Sequence, residues 1–328
     1  MPKVLIADPI PDQMYRQVCS MMPSGVELRR VEDSSEESFR REASDVEVLV
    51  VVSRTIDERL LSLAPQVRFI QHPGVGYDNI DIAALRARGI IAAYTPGANA
   101  AAVAEHAILL MLALLKRFPA AAAAAKAGKW PTLEVAQTGI AELGTAVVGL
   151  VGFGSVGQAV AERLEGFGSR VFYTALHPAG RDVESQYQAS YVPLPDILER
   201  STIISLHVPL NDGTRGMIGR RELSLMPQGA YLVNTARGEL IDETALREAV
   251  VSGHLAGAGL DLVRNEREGG SLFADLDQVI VTPHIAGVSR ASVMRMTQMS
   301  IANIVRFFNH QPLTDVIPEL EKSSSASA

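Results

Sequence analysis

Val147-Val148-Gly149-Leu150-Val151-Gly152-Phe153-Gly154-Ser155-Val156-Gly157 is an apolar run that enters G-x-G-x-x-G and leaves into residues 158–164, which read as helix. A strand, a tight turn and a helix laid back on that strand make a βα unit, the building block of a parallel sheet. Gly152 permits the turn, Gly154 lets backbone approach a pyrophosphate, and Gly157 allows close packing of helix on strand. The helix N-terminus adds N–H groups and positive dipole for phosphate. A glycine-rich turn without a ligand has the same letters; the strand before it and the helix after it point to a phosphate-bearing ligand.

The rest of the chain agrees with that frame. Short apolar or β-branched runs at 4–7, 46–52, 68–71 and 90–93 alternate with helix-compatible segments in the N-terminal third. A second alternation follows at 146–151, 170–173, 202–206, 230–234, 256–260 and 279–281. Strands alternating with helices predict α/β architecture with parallel sheets. Between the halves, residues 99–117 form an Ala- and Leu-rich helix with Asn99 as its N-cap, apolar around much of its circumference and therefore expected to be buried. Helical bias continues over 120–127 until Gly128, and a last helix spans about 289–309. The Ser/Ala tail after Lys322 has little to bury and is expected to be disordered.

Composition removes several classes. At ~150 residues per domain, 328 residues predict about two domains, enough for sizeable cores. A net charge of −7 argues against a nucleic-acid surface or an anionic-membrane binder. Cys19, the single cysteine, has no intrachain disulfide partner, which fits a reducing, cytoplasmic compartment. Asp8 interrupts Val4-Leu5-Ile6-Ala7 too early for a signal peptide, and the apolar run after His106 ends before Lys116, short of the ~20 residues of a membrane span.

The acidic residue that usually accepts from the ribose hydroxyls stands ~20 residues beyond the glycine loop. Here Thr174 occupies the end of that strand. Without a carboxylate a 2′-phosphate is not repelled, yet Ala175 and Leu176 follow, and only His177 and Arg181 offer cations. NAD(H) and NADP(H) both stay open.

Three segments carry polar residues where predicted strands end: Asn234-Thr235-Ala236-Arg237-Gly238, residues 261–266, and Thr282-Pro283-His284-Ile285-Ala286-Gly287. Singly, each has an ordinary reading: a surface arginine, a solvated glutamate, a structural histidine. Together they suit hydride transfer between nicotinamide and a 2-oxo acid, which needs a cation for the carboxylate and carbonyl and a proton donor for the developing alkoxide. Arg237 can clamp a carboxylate in its plane, His284 can give a proton near neutral pH, and Glu266 would favour the imidazolium. No metal is expected.

The blocks Gly74-Val75-Gly76-Tyr77-Asp78-Asn79-Ile80-Asp81, Thr95-Pro96-Gly97-Ala98-Asn99, Val103-Ala104-Glu105-His106, the glycine loop, His207-Val208-Pro209-Leu210, residues 233–238 and residues 282–287 make the resemblance specific. Over nearly its whole length the chain resembles the D-isomer-specific 2-hydroxyacid dehydrogenase family, in its phosphoglycerate dehydrogenase and hydroxypyruvate-glyoxylate reductase-like branch. The resemblance implies two Rossmann-like, doubly wound domains with the active site in the cleft between them. Residues 1–98 with 288–328 would bind substrate and residues 99–287 the dinucleotide.

Carried over residue by residue, Arg237, Glu266 and His284 are the catalytic set, and the Val75 and Gly76 amides hold the substrate carboxylate. Gly152, Gly154, Ser155, Val156 and Gly157 surround the phosphates, and Thr174 stands at the ribose. His207, Pro209, Thr235, Ala236, Asp261 and His284 complete the cofactor set. Arg54, in Ser53-Arg54-Thr55, is placed where phosphoglycerate-type relatives bind a distal phosphate; a cleft-edge arginine facing solvent is the plainer alternative. Arg267 follows Glu266 where the family has proline, which makes Glu268 a rival, although spacing from Asp261 favours Glu266. The expected reaction is NAD(P)-dependent interconversion of a small 2-oxo acid and its D-2-hydroxy acid. A corepressor-like dinucleotide sensor and a phosphite-type dehydrogenase are the alternatives, and a homodimer formed through the nucleotide-binding domain is implied.

Overall fold

The apolar runs form two parallel sheets, one in each of two compact units, in a computed structural model that describes residues 1–137, 139–264 and 271–321. One unit is Met1–Asn99 with Arg290–Ala328, the other Ala100–Ser289.

In the first unit, β1 (Lys3–Ile6), β2 (Glu27–Arg30), β3 (Val48–Val50), β4 (Phe69–Gln71) and β5 (Ile91–Ala93) pair in the order β2-β1-β3-β4-β5, all parallel. Strands covered on both faces need apolar residues at successive positions; Val4 and Leu5, Val48 and Leu49, and Phe69 and Ile70 are all fully buried. Phe39, Leu61, Leu85 and Ile317 cover one face. The helix Arg290–Phe308 covers the other through Ile304 and Phe307, whose ring stacks on Phe69 at 5.2 Å. Asn303 fastens this helix, donating to Gln71 Oε1 at 3.2 Å and to the Thr314 carbonyl at 2.9 Å.

The second unit contains β6 (Val147–Val151), β7 (Arg170–Thr174), β8 (Ala189–Tyr191), β9 (Ile203–Leu206), β10 (Ala230–Asn234), β11 (Leu255–Leu260) and β12 (Val279–Val281). Their order is β12-β11-β10-β9-β6-β7-β8, with every pair parallel. The chain therefore winds outward in opposite directions from β6. In such sheets ligands bind beyond the carboxyl ends of the strands at the reversal, here between β6 and β9.

The structure corrects the reading of the sequence at four places. Seven strands stand where six were expected, because β8 is a three-residue edge strand; β2, likewise an edge, was also absent from the expectation. Asn99 does not cap the following helix, since its Oδ1 is buried without a hydrogen-bond partner among the described residues. That helix runs Ala100–Leu115 and places Leu110 and Met111 against Val148, Leu150 and Val233. It stops short of Arg117, whose left-handed φ of 49° turns the chain into the helix Phe118–Lys126. No single described helix is long and apolar enough to cross a membrane; these two would pass only together, and they are bent by 65°.

Candidate active site

The glycine loop lies at the reversal point. Gly152, directly after β6, has φ 103°, and a Cβ there would sit 2.4 Å from the His207 carbonyl oxygen at the end of β9. Gly157 is buried in the helix Ser155–Glu165, and its Cβ would sit 2.3 Å from the Gly152 carbonyl oxygen. Both positions are closed to any side chain. Gly154 differs: nothing lies within 4 Å of a Cβ there, so its backbone faces open space at the helix N-terminus beside Ser155 and Val156. Small, approachable backbone with outward N–H groups is what a pyrophosphate requires.

Thr174 ends β7 and its carbonyl accepts the Gly152 N–H at 2.8 Å, joining the ribose position to the loop. The buried Tyr173 hydroxyl donates to Glu184 Oε1 at 2.9 Å and accepts the Ala179 N–H at 2.8 Å, which fixes the segment after β7. His177 and Arg181 on that segment are exposed.

Two buried polar atoms at this edge have no hydrogen-bond partner among the described residues, Nδ1 of His207 and Oγ1 of Thr235. They stand just beyond β9 and β10, which are adjacent strands. Nε2 of His207 is 2.9 Å from Ser205 Oγ, and burial pushes this imidazole down to about 4. Buried polar atoms are almost always satisfied. Unpaired atoms beside an open phosphate cradle fit a polar ligand, and with Ser155, Val156, Thr174, Pro209 and Ala236 on the same edge these residues fit a dinucleotide.

Arg237 and His284 follow β10 and β12, the two neighbours of β11, at whose end stands Asp261. Asn234, fully buried, accepts the Ala236 N–H at 3.0 Å and donates to the Arg237 carbonyl at 2.7 Å, so its side chain staples the turn that carries the guanidinium. Arg237 is half-buried and donates to the Ala236 carbonyl at 2.8 Å. His284 is exposed, with a left-handed φ of 55°. Its N–H donates to the Asp261 carbonyl at 2.8 Å, while the Asp261 carboxylate accepts the N–H groups of Ile285 at 3.0 Å and Ala286 at 2.8 Å. Asp261, assigned to the cofactor by resemblance, thus has its carboxylate engaged by the turn that holds His284. Glu266 and its rival Glu268 lie outside the described residues.

In the first unit, Val75 and Gly76 follow β4 in a loop pinned from both sides. Thr95 donates its N–H to the Gly74 carbonyl at 3.0 Å, and the Tyr77 hydroxyl donates to Glu319 at 3.1 Å. The N–H groups of Val75 and Gly76 meet no acceptor among the described residues, and Val75 is exposed. Two neighbouring free donors on a fixed loop can receive a carboxylate. Arg54 is differently placed: its Nε donates to the Ala7 carbonyl at 2.5 Å, Nη2 reaches the Asp33 carbonyl at 3.4 Å, and the guanidinium lies over the Phe39 ring.

Residues 108–286 match the family model described as the D-isomer specific 2-hydroxyacid dehydrogenase, NAD binding domain. A glyoxylate reductase of Thermococcus litoralis is 34% identical over an alignment of 322 positions that covers 93% of this chain and 93% of that protein. A D-3-phosphoglycerate dehydrogenase of Mycobacterium bovis is also 34% identical over 93% of the chain, but the chain spans only 56% of its length. Among solved structures, a glyoxylate reductase from Paecilomyes thermophila superposes with a TM-score of 0.85 at 30% identity, over 97% of this chain and 98% of that one. Two doubly wound sheets, a glycine cradle with unpaired polar atoms beside it, and relatives that are oxidoreductases over the whole fold lead to one assignment: the chain belongs to the D-isomer-specific 2-hydroxyacid dehydrogenase family and is an NAD(P)-dependent oxidoreductase.

Proposed function

We propose that the chain reduces a small monoanionic 2-oxo acid of the glyoxylate type to the 2-hydroxy acid, or runs the reverse oxidation. The observation that carries this reading is the common strand edge that presents Arg237 and His284 beside the dinucleotide cradle. A bound nicotinamide supplies or accepts the hydride. The Val75 and Gly76 N–H groups are assigned the carboxylate of the acid from the resemblance of the loop that carries them. Arg237 faces the carbonyl oxygen and stabilises the charge that grows there. The His284 imidazolium gives that oxygen its proton, and in the reverse direction the neutral ring removes it. Glu266 is assigned the role of favouring the imidazolium, from its spacing after Asp261.

Arg54 bears on substrate size. Two of its N–H groups donate to backbone carbonyls and its guanidinium lies over the Phe39 ring, a partial commitment to the fold that supports a substrate with one anionic group over a phosphorylated one. The full-length match to glyoxylate reductases points the same way. NADH and NADPH oxidation with glyoxylate, pyruvate, hydroxypyruvate and a phosphorylated 2-oxo acid tests the reading. Turnover is expected with the monoanions; tight dinucleotide binding with none of these acids reduced would replace it by a sensor.

We further propose a cytoplasmic homodimer. The lone Cys19 supports the compartment. Leu109, Phe118, Trp130 and Leu133 of the second unit support the interface: each is more than half exposed, and Trp130 reaches 81%. A contiguous apolar patch marks an association surface, and these side chains are the candidates for one. Sedimentation as a single monomeric species would rule the dimer out.

A further inference from the structure

His106 sits on the helix Ala100–Leu115, among alanines and leucines, and is only 9% exposed. Its Nε2 lies 2.9 Å from Thr282 Oγ1, and that hydroxyl lies 2.6 Å from Asp261 Oδ1. A carboxylate accepts only, and a hydroxyl has a single hydrogen to give. Thr282 therefore donates to Asp261 and accepts from His106, which places a proton on His106 Nε2. The chain of donors ends on a carboxylate whose side chain has no exposure to solvent. That same carboxylate holds the N–H groups of Ile285 and Ala286, and the Asp261 carbonyl holds that of His284. His284 thus stands inside a turn fastened on both sides, in a backbone conformation that non-glycine residues seldom adopt. Such a conformation persists only where its surroundings over-determine it.

We infer that His106 is a positioning residue for His284: through Thr282 and Asp261 it locks the turn over residues 282–286 and so fixes where the His284 ring is presented. The inference rests on the reading of His284 as the proton-transfer group. His106 does not touch the reacting atoms; it supplies the donor that keeps the Thr282 hydroxyl aimed at Asp261. Without it the hydroxyl can rotate, and the buried carboxylate loses a partner it cannot replace from water.

The test compares variants that cut the relay with variants that preserve it. His106→Leu and Thr282→Val remove a link, while His106→Gln keeps an N–H at the reach of Nε2 and Thr282→Ser keeps the hydroxyl. Hydrogen exchange at Ile285 and Ala286 is expected to accelerate about tenfold or more in the first pair, because the acceptor of those amides is loosened. In the same pair kcat is expected to fall by about 10²-fold, the effect of roughly 1 Å of misplacement, with KM for the oxo acid and Kd for NADH little changed. His106→Gln and Thr282→Ser are expected to recover most of both losses. Unchanged exchange and kcat in His106→Leu and Thr282→Val would overturn the inference, as would a loss that glutamine and serine do not restore. If His106→Leu does not fold, His106→Asn, too short to reach Thr282, takes its place against His106→Gln. A wild-type protein that reduces no 2-oxo acid would sink the proposed function, while exchange in the variants would still decide the network.

Discussion

At the scale of single residues, the proposed roles of Arg237 and His284 separate in kinetics. His284→Ala is expected to lower kcat by about 10²–10⁴-fold, the usual contribution of general acid–base catalysis, while NADH binding persists by fluorescence titration and changes far less than kcat. Arg237→Ala is expected to lower kcat/KM by at least ~10²-fold, since charged hydrogen bonds contribute roughly 1.5–3 kcal/mol each; an unchanged kcat/KM would exclude it as the clamp. His207 gives a stability signal instead. Burial holds its folded-state pKa near 4, below the ordinary 6.5. Between those values the unfolded chain binds a proton that the folded chain refuses, so stability is lost as pH falls through that window. The loss is at most about 3 kcal/mol at ~1.4 kcal/mol per pH unit. Urea unfolding at neutral pH and near pH 5 is expected to show a smaller difference in His207→Gln than in the unaltered protein. Equal differences would mean that another group governs the acid side.

The glycine loop makes its prediction as an element. A Cβ at Gly157 would press into the Gly152 carbonyl, whereas one at Gly154 meets nothing. Gly157→Ala should therefore destabilise the fold by about 1–3 kcal/mol and weaken NADH binding. Gly154→Ala should leave the Tm unchanged and weaken NADH binding alone, because only the ligand approaches that backbone; equal Tm losses in the two variants would contradict this. The loop was legible in sequence because its glycines answer to local geometry and sit between periodic segments. Elements set by tertiary placement were not. β2 reads Glu-Leu-Arg-Arg because it is an edge, half-exposed along its length, and no apolar alternation marks it. β8 is too short to show a period. Asn99 has the chemistry of a cap, yet packing buried its oxygen without using it. The strands that end just before Arg237 and His284 were legible, because both are apolar runs. What the Arg54 and Asp261 side chains bind was not, since Ala7 and Asp33 for one, Ile285 and Ala286 for the other, are chosen by the folded backbone.

At the scale of the molecule, each unit has cores of its own: among the described residues, two hydrophobic clusters lie within the first unit and two within the second. Residues 100–289, expressed alone, are expected to fold and to bind NADH with a hyperbolic fluorescence titration. A fragment that is unfolded by circular dichroism would show that its cores do not suffice. The first unit cannot be isolated so simply, because its chain is interrupted by the whole of the second. Phe69 and Val4 wait for Ile304 and Phe307, and Leu85 waits for Ile317, all translated after residue 289. At roughly 5–20 residues per second, the nascent amino-terminal sheet spends on the order of ten seconds or more outside the ribosome with one face bare. That interval exposes it to chaperones and to aggregation, so overexpression yield should depend on synthesis speed and holdase supply more than on the final stability of the enzyme.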